Sequence, residues 1–354
     1  MRQGEGARAL LDGATLRAAL FVSLVGLGAA ASGALLSACS RKASTPSASR
    51  PPAPSSASSA VIPLGESPPS LPVAASTLAA ATLPAQELTW TYDSTPIGKM
   101  NVVVLLPVRR ADQKLPVLLT MHGRGEAMKG PERGARGWVD DYELSHVIQR
   151  LAKPPLTRDD FKSFVKGERL ARLNAALLEH PYRGMVIVCP YTPDMLTGDD
   201  PFGKAPPLAS FLVDELLPRV YRETPALGTV PTTAIDGISL GGRAAFSVGL
   251  LRPAAFGVIS GLQAAFHADH ADDIAERAVR ARAANPQLVF RLLTSQDDFF
   301  LDADTAIARA LQARGLKTYF DVVLGPHDYD FNRGPGAIEM LLFHDRVLRG
   351  EPPP

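Results

Sequence analysis

The segment Gly237-Ile238-Ser239-Leu240-Gly241-Gly242 is the strongest local indication of the fold of this chain. It follows the apolar run 230–235 and precedes the helical pattern 243–251. A strand, a tight turn and a helix in this order lift a serine hydroxyl above the edge of a sheet, and the glycines beside the serine relieve crowding at the turn. The segment therefore predicts an exposed, nucleophilic Ser239, although a plain glycine-rich turn would give the same short pattern.

The residues around this segment alternate between two patterns from residue 87 onward. Short β-branched or apolar runs predict strands at 88–92, 101–106, 116–121, 184–189, 232–237, 256–260, 288–294 and 318–324. Longer amphipathic stretches predict helices at 141–151, 167–179, 208–222, 241–251, 271–283, 303–314 and 335–348. The alternation favours a mostly parallel central sheet with helices on both faces. Only residues 93–99 join the first two strands, so we expect an antiparallel hairpin at the sheet edge.

A serine nucleophile needs a general base, and His327 occupies the place where the sequence predicts one. It lies in Gly325-Pro326-His327-Asp328-Tyr329, directly after the predicted strand 318–324, where a loop can reach over the edge of the sheet. The other candidates lie in or beside helical segments and are assigned to packing or to the surface: His146, His180 and His344.

The base in turn needs a carboxylate that fixes its tautomer and stabilises its charge. The loop Ser295-Gln296-Asp297-Asp298-Phe299 follows the predicted strand 288–294 in the half of the chain after the serine, so either aspartate can supply that group. The alternative interpretation is that both acids only cap the helix that begins near residue 303.

The oxyanion that forms when a serine attacks an ester needs hydrogen-bond donors held in place. The N–H of Leu240, directly after the serine, is the first expected donor. The loop His122-Gly123-Arg124-Gly125 follows the strand 116–121, and its glycines allow the backbone to approach a substrate closely. We expect the N–H of Gly123 or of Arg124 to be the second donor, and the histidine of this loop to orient it. The Arg124 side chain is a further candidate for contacting substrate.

With these residues assembled, the stretch 87–350 resembles a branch of the α/β-hydrolase superfamily that contains feruloyl, acetylxylan and enterochelin-type esterases and mycolyltransferases. The resemblance rests on the following segments: 116–125, 211–218, 237–242 and 325–328. It implies the α/β-hydrolase fold. It also implies a catalytic triad of Ser239, Asp298 and His327 that acylates the serine without a metal or an organic cofactor.

The same resemblance favours Asp298 over Asp297, because the apolar turn 299–301 is similar to the turn that follows the acid in related hydrolases. Residues 125–181 are longer than one crossover needs, so we expect a helical insertion beside the site that sets the choice of substrate. The segment His267-Ala268-Asp269-His270 resembles a metal cluster, but no second motif supports it and no metal site is predicted.

Residues 1–38 have the layout of an export signal. Scattered arginines precede the uncharged run 18–38, which ends in Leu36-Ser37-Ala38-Cys39 and resembles the lipobox of bacterial lipoproteins. We therefore predict cleavage before Cys39 and attachment of a diacylglycerol to its thiol. The alternatives are an uncleaved membrane anchor and ordinary cleavage, and all three place the rest of the chain outside the cytoplasm. Ser40 stands where lipoproteins kept in the inner membrane usually have Asp, which favours the outer membrane.

Residues 39–85 are dominated by Ser, Ala and Pro and predict a disordered tether, so the globular domain spans residues 86–354. The lone cysteine of that domain, Cys189, follows an apolar run and is expected to be a buried thiol, because no disulfide framework is available. Lys+Arg (37) and Asp+Glu (36) nearly cancel and no basic run occurs, which argues against nucleic acid as a partner.

These features predict an exported serine esterase of the cell envelope, in the outer membrane or periplasm, that acts on a small-molecule or carbohydrate-linked ester. Three alternatives remain open at this point. An acyltransferase would use an acceptor alcohol in place of water, and a peptidase would use the same triad on an amide. A noncatalytic envelope-binding lipoprotein would have no use for an intact set of Ser, Asp and His, which argues against it.

Overall fold

The computed structural model describes residues 81–196 and 202–354. The predicted export signal, the predicted lipidation site Cys39 and most of the predicted tether lie outside these described residues. Within the described part of the chain, no helix is long and apolar enough to cross a membrane.

The strands agree with the apolar runs of the sequence to within a few residues. They are β1 (Thr82–Leu83), β2 (Gln86–Tyr92), β3 (Met100–Leu106), β4 (Arg109–Arg110), β5 (Val117–Met121), β6 (Val186–Pro190), β7 (Thr233–Gly237), β8 (Val258–Leu262), β9 (Val289–Asp297) and β10 (Thr318–Pro326). Within the described residues, eight of them form one sheet in the order β10-β9-β8-β7-β5-β6-β3-β2. The first six in this order are parallel, and β3 and β2 continue the sheet with antiparallel pairing.

The antiparallel hairpin predicted for the sheet edge is confirmed. Strands β2 and β3 are joined by the short 93–99 connection, and their register pairs Tyr92 with Met100 directly beside it. The sequence did not predict the small antiparallel ribbon that β1 and β4 form next to the main sheet. Each strand of that ribbon has two residues, which is too short for a recognisable alternation of side chains.

The helices connect the parallel strands and cover both faces of the sheet. They are α1 (Arg124–Ala127), α2 (Gly130–Gly134), α3 (Leu144–Leu151), α4 (Gly167–Glu179), α5 (Ala205–Ser210), α6 (Leu217–Glu223), α7 (Leu240–Leu251), α8 (Ala271–Ala284), α9 (Leu301–Ala313), α10 (Tyr329–Phe331) and α11 (Ala337–Val347). Along β3, Val102 and Val104 pack into one core cluster, whereas Val103 and Leu105 pack into the other. Successive strand residues point to opposite faces, so the sheet is buried on both sides.

The predicted helix at 208–222 is divided in the structure. A π-helical segment, Phe211–Leu216, separates α5 from α6. Pro218, the second residue of α6, has no N–H to donate to the carbonyl of Asp214, so regular helical hydrogen bonding cannot continue through this point. A second π-helical segment, Asn332–Gly336, contains Pro335 and precedes α11.

The helical insertion predicted at about 125–181 lies between β5 and β6. It contains α1 to α4 and a π-helical segment, Gly137–Asp141. Trp138, Tyr142 and Val147 of the insertion are buried in the same core cluster as Leu118 of β5. The insertion is therefore built into the core of the domain, and its side chains reach the carboxyl ends of the strands.

Candidate active site

Ser239 lies in the sharp turn between β7 and α7. Its φ of 56° and ψ of −117° place it in a left-handed region that costs a residue with a side chain roughly 1–3 kcal/mol. A Cβ on Gly237 would lie 2.4 Å from the carbonyl carbon of Gly241, and one on Gly241 would lie 2.2 Å from the carbonyl oxygen of Met121. Both positions therefore require glycine. Leu240, buried behind the turn, begins α7.

The strained turn is held by the neighbouring strand. The Ser239 N–H donates to the Leu262 carbonyl over 2.9 Å, and the Ala265 N–H donates to the Ser239 carbonyl over 3.0 Å. Two tertiary hydrogen bonds thus hold the serine backbone from β8 and the residues that follow it. The side chain is left to point into the cleft at the carboxyl end of the sheet.

His327 and Asp298 meet at the carboxyl ends of β10 and β9. The Nδ1 atom of His327 lies 2.9 Å from Oδ1 of Asp298. Asp298 also accepts a hydrogen bond from the Thr294 hydroxyl over 2.6 Å and one from the Phe300 N–H over 3.0 Å. Because the carboxylate only accepts, Nδ1 carries the proton and Nε2 keeps the lone pair that a general base needs.

The two aspartates of this loop are in different environments. The side chain of Asp298 is fully buried behind the imidazole. Asp297 is the last residue of β9, is exposed, and lies beside Pro326 in the sheet register. Of the two candidates that the sequence left open, the structure brings only Asp298 to His327.

A second buried carboxyl, Asp304 in α9, lies behind Asp298. It accepts a hydrogen bond from the Ala264 N–H over 3.1 Å. Burial raises the pKa of Asp304 well above its usual range, and the charge of Asp298 raises it further. Burial and the neighbouring Asp298 charge thus favour the neutral form of Asp304.

Aromatic rings cover the imidazole of His327. The Phe299 ring centroid lies 4.2 Å from that of His327, and the Phe300 centroid lies 5.5 Å from it. Phe299 is 71% exposed, so its outer face is open to solvent at the edge of the cleft. Gln263, which is buried, donates to the Pro326 carbonyl over 3.0 Å and supports the start of the histidine loop.

The histidine of the His-Gly loop has a structural role. The Nε2 atom of His122 accepts a hydrogen bond from the Thr192 N–H over 2.8 Å, so the proton is on Nδ1, which donates to the Gly123 carbonyl over 2.9 Å. Burial lowers the pKa of His122 to about 4. The ring is neutral and both nitrogens are occupied, so His122 orients the loop.

The two expected candidates for the second oxyanion donor differ in the structure. The N–H of Gly123 donates to the Tyr142 hydroxyl over 3.1 Å and is therefore already engaged. Arg124 is the first residue of α1, where a backbone N–H has no acceptor within its own helix. The Arg124 side chain pairs with Asp194 over 3.1 Å at the rim of the cleft.

Three residues at this site were missed by sequence reasoning. The carboxylate of Glu126, 1% exposed, accepts hydrogen bonds from the hydroxyls of Tyr142 and Tyr329. Tyr329 follows His327 by two residues, a proximity that was visible in the sequence. No local pattern identifies Tyr142, because it reaches the site through the fold of the insertion.

The cleft above the serine has a volume of about 230 Å³. It is lined by the predicted site residues and by two tyrosines: Ser239, His327, Gly123, Arg124, Tyr142 and Tyr329. Asp298 supports the imidazole from behind. The residues predicted separately from four segments of the sequence therefore meet at one place.

Solved structures with a similar fold are esterases and related hydrolases. A ferulic acid esterase is 18% identical, with a TM-score of 0.55 over 75% of this chain and 99% of that chain. An S-formylglutathione hydrolase from Staphylococcus aureus is 14% identical, with a TM-score of 0.53 over 74% of this chain and 99% of that one. The feruloyl esterase module from Clostridium thermocellum is 15% identical, with a TM-score of 0.50 over 73% of this chain and 87% of that module.

No protein-family model and no curated protein matches the sequence, so the fold rests on the structural likeness and on the sheet topology. This chain has the α/β-hydrolase fold. In an α/β-hydrolase the serine follows a central strand, and the acid and the histidine follow later strands in the order Ser, Asp, His. Ser239, Asp298 and His327 occur in that order after β7, β9 and β10.

Two further candidates lie away from the α/β-hydrolase cleft. The His267 N–H donates to Nδ1 of His270 over 3.3 Å, and the described residues contain no group of three His, Cys, Asp or Glu side chains that could hold a metal ion. Cys189 is buried, and the Thr120 hydroxyl lies 3.2 Å from its sulfur. Burial raises the pKa of the Cys189 thiol to about 12, so it is a structural, unreactive thiol.

Proposed function

We propose that this chain is a serine-dependent carboxylic-ester hydrolase that works through an acyl-enzyme on Ser239. One observation carries the proposal: the strained Ser239 shares a cleft with His327, and Nδ1 of His327 is hydrogen-bonded to the buried Asp298. Neither a glycine-rich turn nor a helix cap explains why all three groups converge there. Two of the similar structures above are named as esterases, and the third is named as a hydrolase of S-formylglutathione, which is a thioester.

In the first half of the reaction, the Ser239 hydroxyl attacks the ester carbonyl while Nε2 of His327 takes its proton. The N–H groups of Leu240 and Arg124, each at the start of a helix, stabilise the resulting oxyanion. Asp298 stabilises the imidazolium. The tetrahedral intermediate then collapses, the bond to the alcohol breaks, and His327 returns the proton to the leaving alkoxide.

In the second half, water attacks the acyl-enzyme carbonyl and gives its proton to the same Nε2 atom of His327. The intermediate collapses to a carboxylic acid and regenerates the Ser239 hydroxyl with the proton held by His327. The site is small, at about 230 Å³, so we propose that it acts on a small or carbohydrate-linked ester.

The test of this function compares the purified chain with its Ser239→Ala variant. We expect a fluorophosphonate probe to label only the wild type, and nitrophenyl esters of short acyl chains to be hydrolysed only by the wild type. A folded wild type that neither labels nor hydrolyses these esters would show that the proposal is wrong. Hydrolysis retained in Ser239→Ala would show that another residue is the nucleophile.

We also propose that the enzyme is exported and anchored in the cell envelope by a lipid on Cys39. The support is the apolar run 18–38 and the lipobox-like Leu36-Ser37-Ala38-Cys39. Cells fed an alkyne-bearing fatty acid should label the wild type and not a Cys39→Ala variant, and the wild type should be found in the membrane fraction. Equal labelling of both proteins would overturn the anchor.

A further inference from the structure

One carboxylate and two tyrosines form a polar network beside the cleft, and the reaction above does not use it directly. We propose that Glu126 is a positioning residue that locks the oxyanion loop (residues 122–126) to the histidine loop (residues 325–331). This inference rests on the proposed function. The network is called the loop lock below and consists of Glu126, Tyr142 and Tyr329.

The loop lock is a continuous chain of hydrogen bonds between the two loops. The Tyr329 hydroxyl donates to Oε1 of Glu126 over 2.7 Å, and the Tyr142 hydroxyl donates to Oε2. The Tyr142 oxygen also accepts the hydrogen bond from the Gly123 N–H over 3.1 Å. The backbone of the oxyanion loop is thus connected through one carboxylate to a residue two positions after His327.

The glycines around the loop lock make room for it. A Cβ on Gly123 would lie 2.9 Å from the Tyr142 hydroxyl, and a Cβ on Gly125 would lie 3.1 Å from the Tyr329 hydroxyl. A Cβ on Gly137 would lie 2.5 Å from Cγ of Glu126. The sequence predicted that the first two glycines bring the backbone close to substrate. In the structure, the space beside them holds the tyrosine hydroxyls of the loop lock.

The charges in the loop lock fit a carboxylate at its centre. Glu126 is 1% exposed, and its nearest cation is Lys129, whose Nζ lies 3.6 Å from Oε1. Burial and the interaction with Glu126 together raise the pKa of Tyr142 well above its usual range and that of Tyr329 to about 12. Both hydroxyls therefore stay protonated at neutral pH, and each donates to a group that only accepts.

The loop lock acts on the reaction through the placement of the Arg124 N–H. With Gly123 held by Tyr142, the next N–H along the loop is fixed at the start of α1. Catalysis depends on donors placed to within a fraction of an ångström, so loosening the loop lowers kcat more than it weakens substrate binding. Glu126→Gln keeps the size of the side chain but replaces one acceptor with a donor facing a tyrosine.

The experiment measures kcat and KM for Glu126→Gln, Tyr142→Phe and Tyr329→Phe in the full chain. We expect kcat to fall about 10- to 100-fold and KM to change less than about threefold in each variant. The matched controls are Glu339→Gln, a buried carboxylate bonded to Arg169 over 2.9 Å, and Tyr221→Phe, whose hydroxyl lies 2.9 Å from that of Thr233. Both controls should keep kcat within about twofold.

Hydrogen exchange tests the coupling without relying on activity. Tyr329→Phe should speed exchange of the amides in residues 122–128, although the substitution lies in the other loop, and Tyr221→Phe should not. Unchanged exchange there, or loop-lock variants whose kcat equals that of the controls, would overturn the inference. An inactive wild type would instead refute the proposed function, and the exchange measurement would still decide whether the two loops are coupled.

Discussion

Two histidines of this domain bond to an aspartate, and they occupy very different places. Nδ1 of His327 lies 2.9 Å from Asp298, and Nε2 of His344 lies 2.7 Å from Asp236. The His327 side chain is 15% exposed and lines the cleft with Ser239, whereas His344 and Asp236 are fully buried. In the proposed hydrolase the same pair of groups therefore has a catalytic role in one place and a structural role in the other, and access to Ser239 and to substrate separates the two roles.

The buried pair supports the strand that carries the serine. Asp236 immediately precedes Gly237, and its Oδ1 atom accepts a hydrogen bond from the Gly237 N–H over 2.7 Å. A guanidinium nitrogen of Arg291 on β9 lies 3.7 Å from Oδ2 of Asp236. Burial lowers the pKa of His344, so the ring is neutral and acts as a hydrogen-bonding group. This pair connects α11 to the base of the turn from inside the core.

The largest expected difference between the two pairs is in activity. His327→Ala should lower kcat/KM by roughly 10⁴-fold because it removes the imidazole that takes the serine proton in the proposed mechanism. His344→Ala should lower it by less than about tenfold in the folded protein. The measurement is nitrophenyl-ester hydrolysis at a temperature where circular dichroism shows both variants folded. Comparable losses in the two variants would contradict the division of roles.

Within the cleft pair, the choice of acid predicts the next largest effect. Asp298→Asn should lower kcat about 10³- to 10⁴-fold, because the amide can hold the imidazole in the wrong tautomer. Asp297→Asn changes an exposed residue, so its kcat should stay within about twofold of the wild-type value. Kinetics of the two variants side by side distinguish them, and equal effects would remove Asp298 from the triad.

The buried pair should matter most for stability. His344→Ala removes a fully buried ring and leaves Asp236 without that partner, so we expect the free energy of unfolding to fall by about 3–5 kcal/mol. His327→Ala should change it by less than about 1 kcal/mol. Urea denaturation followed by tryptophan fluorescence checks both values. A strongly destabilised His327→Ala would mean that the cleft pair is also structural.

A third histidine, the buried His122, extends the comparison to pH. Its folded pKa of about 4 lies below the unfolded value of 6.5, so the unfolded chain binds the proton first and stability falls as the pH drops below 6.5. The expected loss is about 2 kcal/mol at pH 5. Urea denaturation at pH 7 and pH 5 should show a smaller difference for His122→Gln, whereas the exposed His146→Gln should match the wild type.

Sequence reasoning worked best where chemistry and chain order constrain each other. Few other interpretations exist for a serine at a strand-to-helix turn that is followed by an acid and a histidine after later strands. The structure brings Ser239, Asp298 and His327 to one edge of the sheet. The mostly parallel sheet and its edge hairpin could also be predicted, because the order of the apolar runs and the lengths of their connections limit the possible topologies. Apolar runs bounded by turns leave little freedom in topology.

The contacts between distant segments could not be predicted. Glu126 and Tyr329 are 203 residues apart, and Asp236 and His344 are 108 apart, so no local pattern relates them. The choice between Gly123 and Arg124 as oxyanion donor also depended on Tyr142, which the insertion brings to the site. Such contacts follow from how elements pack, and a single sequence contains no periodicity that describes them.

The strained backbone of Ser239 has a consequence for when its conformation can form during synthesis. Its conformation is held by hydrogen bonds to Leu262 and Ala265, which are synthesised after it. A nascent chain that ends before Leu262 contains the complete glycine-serine-glycine motif but lacks these two hydrogen bonds that oppose relaxation of the turn. The strained conformation of Ser239 is therefore completed only in the assembled tertiary structure, so the nucleophile of the proposed hydrolase is not preorganised in an unfinished chain.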